Sequence, residues 1–196
     1  MSVWPRWIFK EVHLCLYGFP LPGEVPPCEP SLEVEYDAVG QSSPGIGRLT
    51  AVQEGRLIER RLGRGERCFL VLHKGQVVAY CWFSQARVGI EEVDLTVVVQ
   101  PDEVYLYDAF TLPPWRGRGL YPALLTRMVK EAMEMGYRRA MIFAGEDNLP
   151  SRQGIEKAGF EFFQRITHYK LLGVSGYRYG PRLETHREVR LVRAAP

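Results

Sequence analysis

An excess of charge of either sign is missing from this 196-residue chain: 25 Lys and Arg stand against 23 Asp and Glu, for a formal net charge of +2. No global field draws in nucleic acid or an anionic membrane, so neither is expected as a partner. Cysteine is scarce, four residues (Cys15, Cys28, Cys68, Cys81) with no Cys-x-x-Cys pair. Neither a disulfide framework nor a metal site is expected, and the thiols read as reduced core residues. No uncharged run reaches the ~18 to 20 residues that span a bilayer, and residues Met1 to Trp7 lack the basic stretch and apolar run of a secretory signal. These absences predict a soluble, cytoplasmic protein. What is present is 46% hydrophobic and 12% aromatic residues, ample for a continuous core and incompatible with chain-wide disorder.

Trp7 to Tyr17 reads as a strand, and Phe19 to Pro30, with five prolines, as an irregular arm. The expected division is an N-terminal strand and arm over 1–30 and one domain over 31–196. Ser31 to Ala38 alternates Leu32, Val34 and Tyr36 with acidic residues, the period of a half-buried strand. Thr50 and Gln53 suggest a capping box opening a helix to Arg61. Cys68 to Leu72 and Val77 to Phe83 flank a glycine turn and predict a hairpin; Val93 to Val99 and Val104 to Phe110 predict a second, giving a four-strand meander. Leu120, Leu124, Leu125, Met128, Val129, Ala132 and Met135 recur at helical spacing up to Gly136, and Ala140 to Ala144 suits a strand buried on both faces. A short helix, about Leu149 to Ala158, and a strand over Phe160 to Leu171 follow. The arginine-rich stretch Arg178 to Arg193 reads as a solvated strand face. Strand, helix, strand over 104–144 is a βαβ unit, so the fold class is α/β (α+β), a mixed, mostly antiparallel sheet with flanking helices.

Thr111 to Pro122 joins the first strand of that unit to its helix through Arg116-Gly117-Arg118-Gly119-Leu120-Tyr121. Glycines let successive amides converge, and a helix N-terminus adds partial positive charge, so this turn is built to hold a phosphate or pyrophosphate. Neither a P-loop nor a Gly-x-Gly-x-x-Gly fingerprint is present.

The stretch resembles the GCN5-related N-acetyltransferase (GNAT) superfamily, whose cofactor motif Gln/Arg-x-x-Gly-x-Gly/Ala is matched by Arg116 and Gly119, with Tyr121 in place of the small third residue. Pro113 matches the family's Val-x-Pro element, and Asn148, Ser151, Gly159 and Phe160 match its downstream signature. The resemblance covers about residues 66 to 172. It implies acetyl-CoA as acyl donor, with no metal. The pantetheine arm would lie along Ala109, Phe110 and Thr111 as an added strand, the pyrophosphate on the amides of Gly117 to Tyr121, and Asn148 would face the cofactor.

The family's usual general-acid tyrosine falls on Ile155, which has no proton to give. The positions at which relatives carry a base correspond to Tyr105 and Tyr107, and these are the catalytic candidates, Tyr107 ahead of Tyr105. In an unbulged strand both share a face with Ala109 and Thr111, while Asp108 faces away. Glu91, Glu92 and Asp94, on the expected preceding strand, are other candidates for the base. The resemblance thus implies an acyl-CoA-dependent N-acetyltransferase acting on a primary amine of a small molecule or protein. A silent cofactor-binding module and transfer of a longer acyl chain from a carrier protein stay open, as does a homodimer.

Overall fold

A computed structural model describes residues 9–194. Residues 1–7, where no secretory signal is expected, and the first residues of the expected opening strand lie outside them. The elements in chain order are strands β1 (Phe9–Pro20) and β2 (Glu35–Val39), helices α1 (Ile46–Leu49) and α2 (Gly55–Leu62), then strands β3 (Arg67–His73), β4 (Gln76–Ser84), β5 (Arg87–Ile90), β6 (Leu95–Val98) and β7 (Glu103–Thr111). Helix α3 (Leu120–Glu134), strand β8 (Arg139–Gly145), helix α4 (Leu149–Lys157), and strands β9 (Glu161–Leu171), β10 (Val174–Tyr179) and β11 (Leu191–Arg193) complete the described residues.

Eight strands form one sheet in the order β10-β9-β1-β8-β7-β4-β3-β2, and β11-β6-β5 form a second, small one. Every pairing is antiparallel except β7 with β8, the two strands of the expected βαβ unit. One face of the large sheet packs Cys15, Phe69, Leu106 and Ile142 against Leu124, Met128 and Val129 of α3 and Ile155 of α4. On the other face, Leu16, Tyr105 and Met141 pack under Val88, Leu95 and Val97 of the small sheet, while Leu70 and Trp82 pack under Leu49 of α1 and Ile58 of α2. Among the described residues no helix is long and apolar enough to cross a membrane.

The expected second hairpin does not form. β6 pairs with β5 and β11, whereas β7 pairs with β4 and β8. Burial explains the separation: β6 buries every other residue, as a strand covering one face does, while residues 103 to 106 of β7 are buried consecutively and need partners on both edges and cover on both faces. The connection 100–103 therefore passes between sheets, and the meander is replaced by β3-β4-β7 pairing with the small sheet laid over it. The capping box is also absent. Thr50 ends α1, and α2 opens at Gly55 after Glu54. The strand expected over 31–38 is confined to Glu35–Val39. Glu91 and Glu92 lie in a short 3-10 turn and Asp94 in the left-handed region, not on a strand. At the C-terminus, only Val174–Tyr179 and Leu191–Arg193 are strands.

β1 is interior, hydrogen-bonded to β8 on one side and β9 on the other, so residues 9–20 share the core of everything that follows. The proline-rich arm then crosses the α3/α4 face. Leu21 N–H donates to Arg138 O (2.8 Å), Cys28 Sγ to Lys157 O (3.3 Å) and Ser31 N–H to Arg118 O (2.9 Å), which brings the arm to the turn before α3. Leu16, fully buried, anchors β1 against the small sheet. Leu16→Ala is expected to destabilise the whole domain by about 2–5 kcal/mol, as a shift of the single thermal or urea transition. An unchanged midpoint would show that β1 is dispensable.

Candidate functional site

The βαβ unit opens where it would bind a ligand. β7 and β8 are paired only from Glu103↔Arg139 to Leu106↔Ile142, yet β7 runs on to Thr111 and β8 to Gly145. Beyond Leu106 the two inner edges diverge, leaving backbone groups free to pair with an extended ligand. A cleft of about 870 Å³ follows the gap, lined by Ala109, Tyr105, Tyr107 and Asp108 of β7, Phe143 and Ala144 of β8, Tyr121 of α3, and Asn148 and Ser151 of α4.

At the helix side, Gly117 and Gly119 adopt φ of +75° and +73°, a region open to glycine and strained for most side chains. Among the described residues, no backbone acceptor takes the N–H of residues 117 to 121, whereas the next free amide, that of Ala123, bonds Gly119 O at 3.2 Å. Five amides and a helix N-terminus thus stand without a backbone acceptor at the turn, the donor set of an anion site. Arg116 and Arg118 are exposed and lie over the rings of Phe110 and Trp115. Of the expected cofactor residues, Ala109, Tyr121, Asn148 and Ser151 line the cleft; Phe110, Thr111, Arg116, Gly117, Arg118, Gly119 and Leu120 lie outside its lining. Asn148 caps α4, its Oδ1 accepting from Ser151 N–H at 3.2 Å.

Tyr121 fits because α4 makes room for it. A methyl group at Gly154 would lie 2.5 Å from Cδ1 of Tyr121, so the missing Cβ on α4 accommodates the ring that replaces a small residue on α3. Its hydroxyl meets Ser151 Oγ at 3.3 Å, and burial pushes the phenol well above its ordinary pKa.

The parity expected for β7 is corrected by a bulge. The register passes from Tyr80↔Phe110 to Trp82↔Tyr107, so Asp108 and Ala109 together oppose Cys81, and Asp108 takes φ +47°. Ala109 consequently packs with Leu106 on the α3/α4 face. Tyr105 and Tyr107 remain on the opposite face, their rings stacked 5.7 Å apart at 6°. Asp108, expected to face away, lines the cleft.

Four residues unassigned from sequence surround the bulge. Trp82 Nε1 donates to Gln53 Oε1 (2.8 Å), Gln53 Nε2 donates to Asp108 Oδ2 (3.0 Å), and Arg61 donates to the same oxygen while its guanidinium lies over the rings of Trp82 and Tyr107. Glu66, fully buried and paired with Arg64 at 2.8 Å, accepts the Tyr107 hydroxyl. The only sequence signal for this cluster is an aspartate inside the apolar run Val104 to Phe110. Tyr107 is driven far above the usual phenol range by burial, then by the Glu66 hydrogen bond and charge; Tyr105 is driven up chiefly by burial. Both are donors at neutral pH. The Tyr105 hydroxyl has no partner among the described residues, although its side chain is only 5% exposed and lines the cleft. Glu91 and Glu92 line the far rim. Asp94 does not; its carboxylate bonds Lys170 Nζ at 2.9 Å, which holds its pKa down.

The Tyr121–Gly154 fit has a direct test in a double-mutant cycle. Gly154→Ala alone should destabilise by about 1–3 kcal/mol through overpacking. In a Tyr121→Ala background the same change should become neutral or stabilise by up to ~1 kcal/mol, the helix-propensity difference. Equal effects in both backgrounds, by chemical denaturation, would show that the ring does not need the glycine.

A model of the acetyltransferase (GNAT) family matches residues 38–160. The N-alpha-acetyltransferase MAK3 of Arabidopsis thaliana is 29% identical over 113 residues, 57% of this chain and 53% of that protein. A GNAT-family acetyltransferase from Colwellia psychrerythraea aligns with TM-score 0.58 at 20% identity, over 83% of this chain and 57% of its own. A GCN5-related N-acetyltransferase from Sphaerobacter thermophilus aligns with TM-score 0.56 at 16% identity, over 85% and 54%. The chain thus spans little more than half the length of these relatives, and the structural likenesses speak for the fold alone. The family match, over more than half the chain and across both the open splay and the free loop amides, means that the chain belongs to the GNAT acetyltransferase family.

Proposed function

We propose that the protein is an acyl-CoA-dependent N-acetyltransferase that moves acetyl from acetyl-CoA to a primary amine of a small molecule or protein. The observation that carries this reading is the pairing of an opened β7/β8 edge with free amides at residues 117 to 121. One end accepts an extended amide-bearing arm and the other its pyrophosphate, which is the shape and charge of CoA. This fit rests on the unpaired backbone groups and on the positive φ of Gly117 and Gly119.

Acetyl transfer requires a held thioester, a donor for the developing oxyanion and a proton for the departing thiolate. In this reading the unpaired inner edge of β7 around Phe110 and Thr111 holds the thioester and offers an N–H to its oxygen. Ile155, buried in the core, has no proton to supply. Tyr105 is the better placed acid of the two tyrosines, since its unpartnered hydroxyl borders the cleft, whereas Tyr107 already donates to Glu66. Tyr107 then acts by positioning, holding the Tyr105 ring by stacking and the Arg61 guanidinium from below.

Calorimetric titration with acetyl-CoA, followed by a thiol-release assay over a panel of amines, tests the reading. Binding with turnover supports it; binding without turnover on any amine leaves a silent module. Gly119→Val should weaken acetyl-CoA binding 10-fold or more, because valine disfavours φ +73° and its Cβ would press on Glu29 O at 3.2 Å. Undiminished affinity in the folded variant would remove the phosphate assignment.

Tyr105→Phe is expected to lower kcat by ~10² while leaving acetyl-CoA affinity unchanged. Tyr107→Phe should instead cost roughly 1–3 kcal/mol of stability by stripping the buried Glu66 of its donor. A stability loss at Tyr105 and a purely kinetic loss at Tyr107 would reverse these roles.

A further inference from the structure

Asp108 is the most heavily supported side chain in the cleft that the function has not yet used. It occupies φ +47° at a bulge, a conformation open to few residues other than glycine, asparagine and aspartate. Its Oδ2 takes both hydrogen bonds, from Gln53 and Arg61; among the described residues Oδ1 takes none. Gln53 is held by Trp82, and Arg61 is held between two rings, so the carboxylate is fixed in rotation with one oxygen free. The side chain is about one-third exposed, at 35%, and it lines the cleft. Neutralising Arg61 alone would not call for a strained residue at the point where the strands part. Beyond it one wall of the cleft is apolar, formed by Tyr105, Tyr107, Ile90, Phe143, Leu14 and Val12, while Asp147, Asn148 and Ser151 line the end toward α4. The outer rim bears Glu91 and Glu92, and the one lysine there, Lys10, donates to Glu92 O.

We propose that Oδ1 of Asp108 binds the ammonium group of the acceptor and takes its proton, and that acceptors are primary ammonium ions carried on an apolar or aromatic stem. The inference rests on the acyltransferase reading and names the substrate class of the same site. The acceptor enters as R–NH3+ and gives one proton to Oδ1. The freed lone pair forms the C–N bond at the thioester carbonyl, the C–S bond breaks, and the thiolate takes a proton from the Tyr105 hydroxyl. Tyr105 is reprotonated by the proton that the new amide nitrogen sheds, and Asp108 releases its proton to water. The sum is ammonium plus acetyl thioester giving amide, thiol and one proton. Asp108 and Tyr105 sit on opposite sides of Tyr107 along one strand, Asp108 turned in by the bulge, so base and acid approach the reacting centre separately.

The test uses the full chain with 2-phenylethylammonium as probe and 2-phenylethanol as its neutral counterpart, titrated calorimetrically with and without saturating CoA. The wild-type protein should bind the ammonium at least 10-fold more tightly than the alcohol. Asp108→Asn, which tolerates the same backbone conformation, should bring the two to the same level while CoA affinity stays within about twofold. Gln53→Leu leaves the carboxylate in place and removes one donor, and should weaken ammonium binding several-fold. Retained preference for the ammonium in Asp108→Asn, or no preference in the wild-type protein, overturns the proposal. Absence of CoA binding would instead overturn the acyltransferase reading, and the titrations run without CoA still report on Asp108.

Discussion

The end of pairing between β7 and β8 after Leu106↔Ile142 is the constraint on which the site depends. Two parallel strands at the centre of a sheet ordinarily satisfy each other along their length, and a gap there strands backbone groups in the interior. It is tolerated because the outer edges are secured, β7 against β4 and β8 against the interior strand β1, and because both faces near the gap are covered by α3, α4 and the small sheet. The sheet stays one body while its middle opens, and the open edges carry the unpaired groups on which the proposed binding surface rests.

The bulge at Asp108 is the second device, acting just beyond the point where the strands part. Without it, Ala109 would lie on the tyrosine face and Asp108 on the helical face. With it, the small residue packs beneath α3 and the carboxylate turns into the cleft. A non-glycine residue at φ +47° costs on the order of 1–3 kcal/mol, and the Trp82–Gln53–Asp108–Arg61 chain supplies the bonds that offset it. Residues from α2, the α1–α2 connection, β4 and β7 meet there, which no single segment of sequence could announce.

The turn at Gly117 to Tyr121 shows a different kind of compensation. Tyr121 stands where the family has a small residue, and Gly154, an unfavourable residue inside a helix, provides the space on the neighbouring helix. The proline-rich arm reaches the same turn from outside, with Glu29 O and Pro30 against Gly119 and Ser31 N–H bonded to Arg118 O. The turn is therefore braced by α4 on one side and by the arm on the other.

Local chemistry by itself determined the elements with strong periodicity or glycine punctuation. The helix ending at Gly136, the short helix ending at Gly159, the hairpin around Lys74-Gly75 and the βαβ unit were all legible, because backbone conformation there depends on near neighbours; Gly136 and Gly159 take positive φ as helix stops do. The glycine turn before α3 was legible for the same reason, with Gly117 and Gly119 both at positive φ. Tertiary structure alone decided which edges β6 and β7 pair with, since both read as apolar strands and only burial on one face or two separates them. It alone placed β1 inside the sheet, and it alone rotated Asp108, because a bulge arises from the register between strands and not from the residues of one. The cluster around the bulge, drawn from positions 53, 61, 66, 82 and 108, is a product of packing, and packing is the information that a linear pattern does not carry.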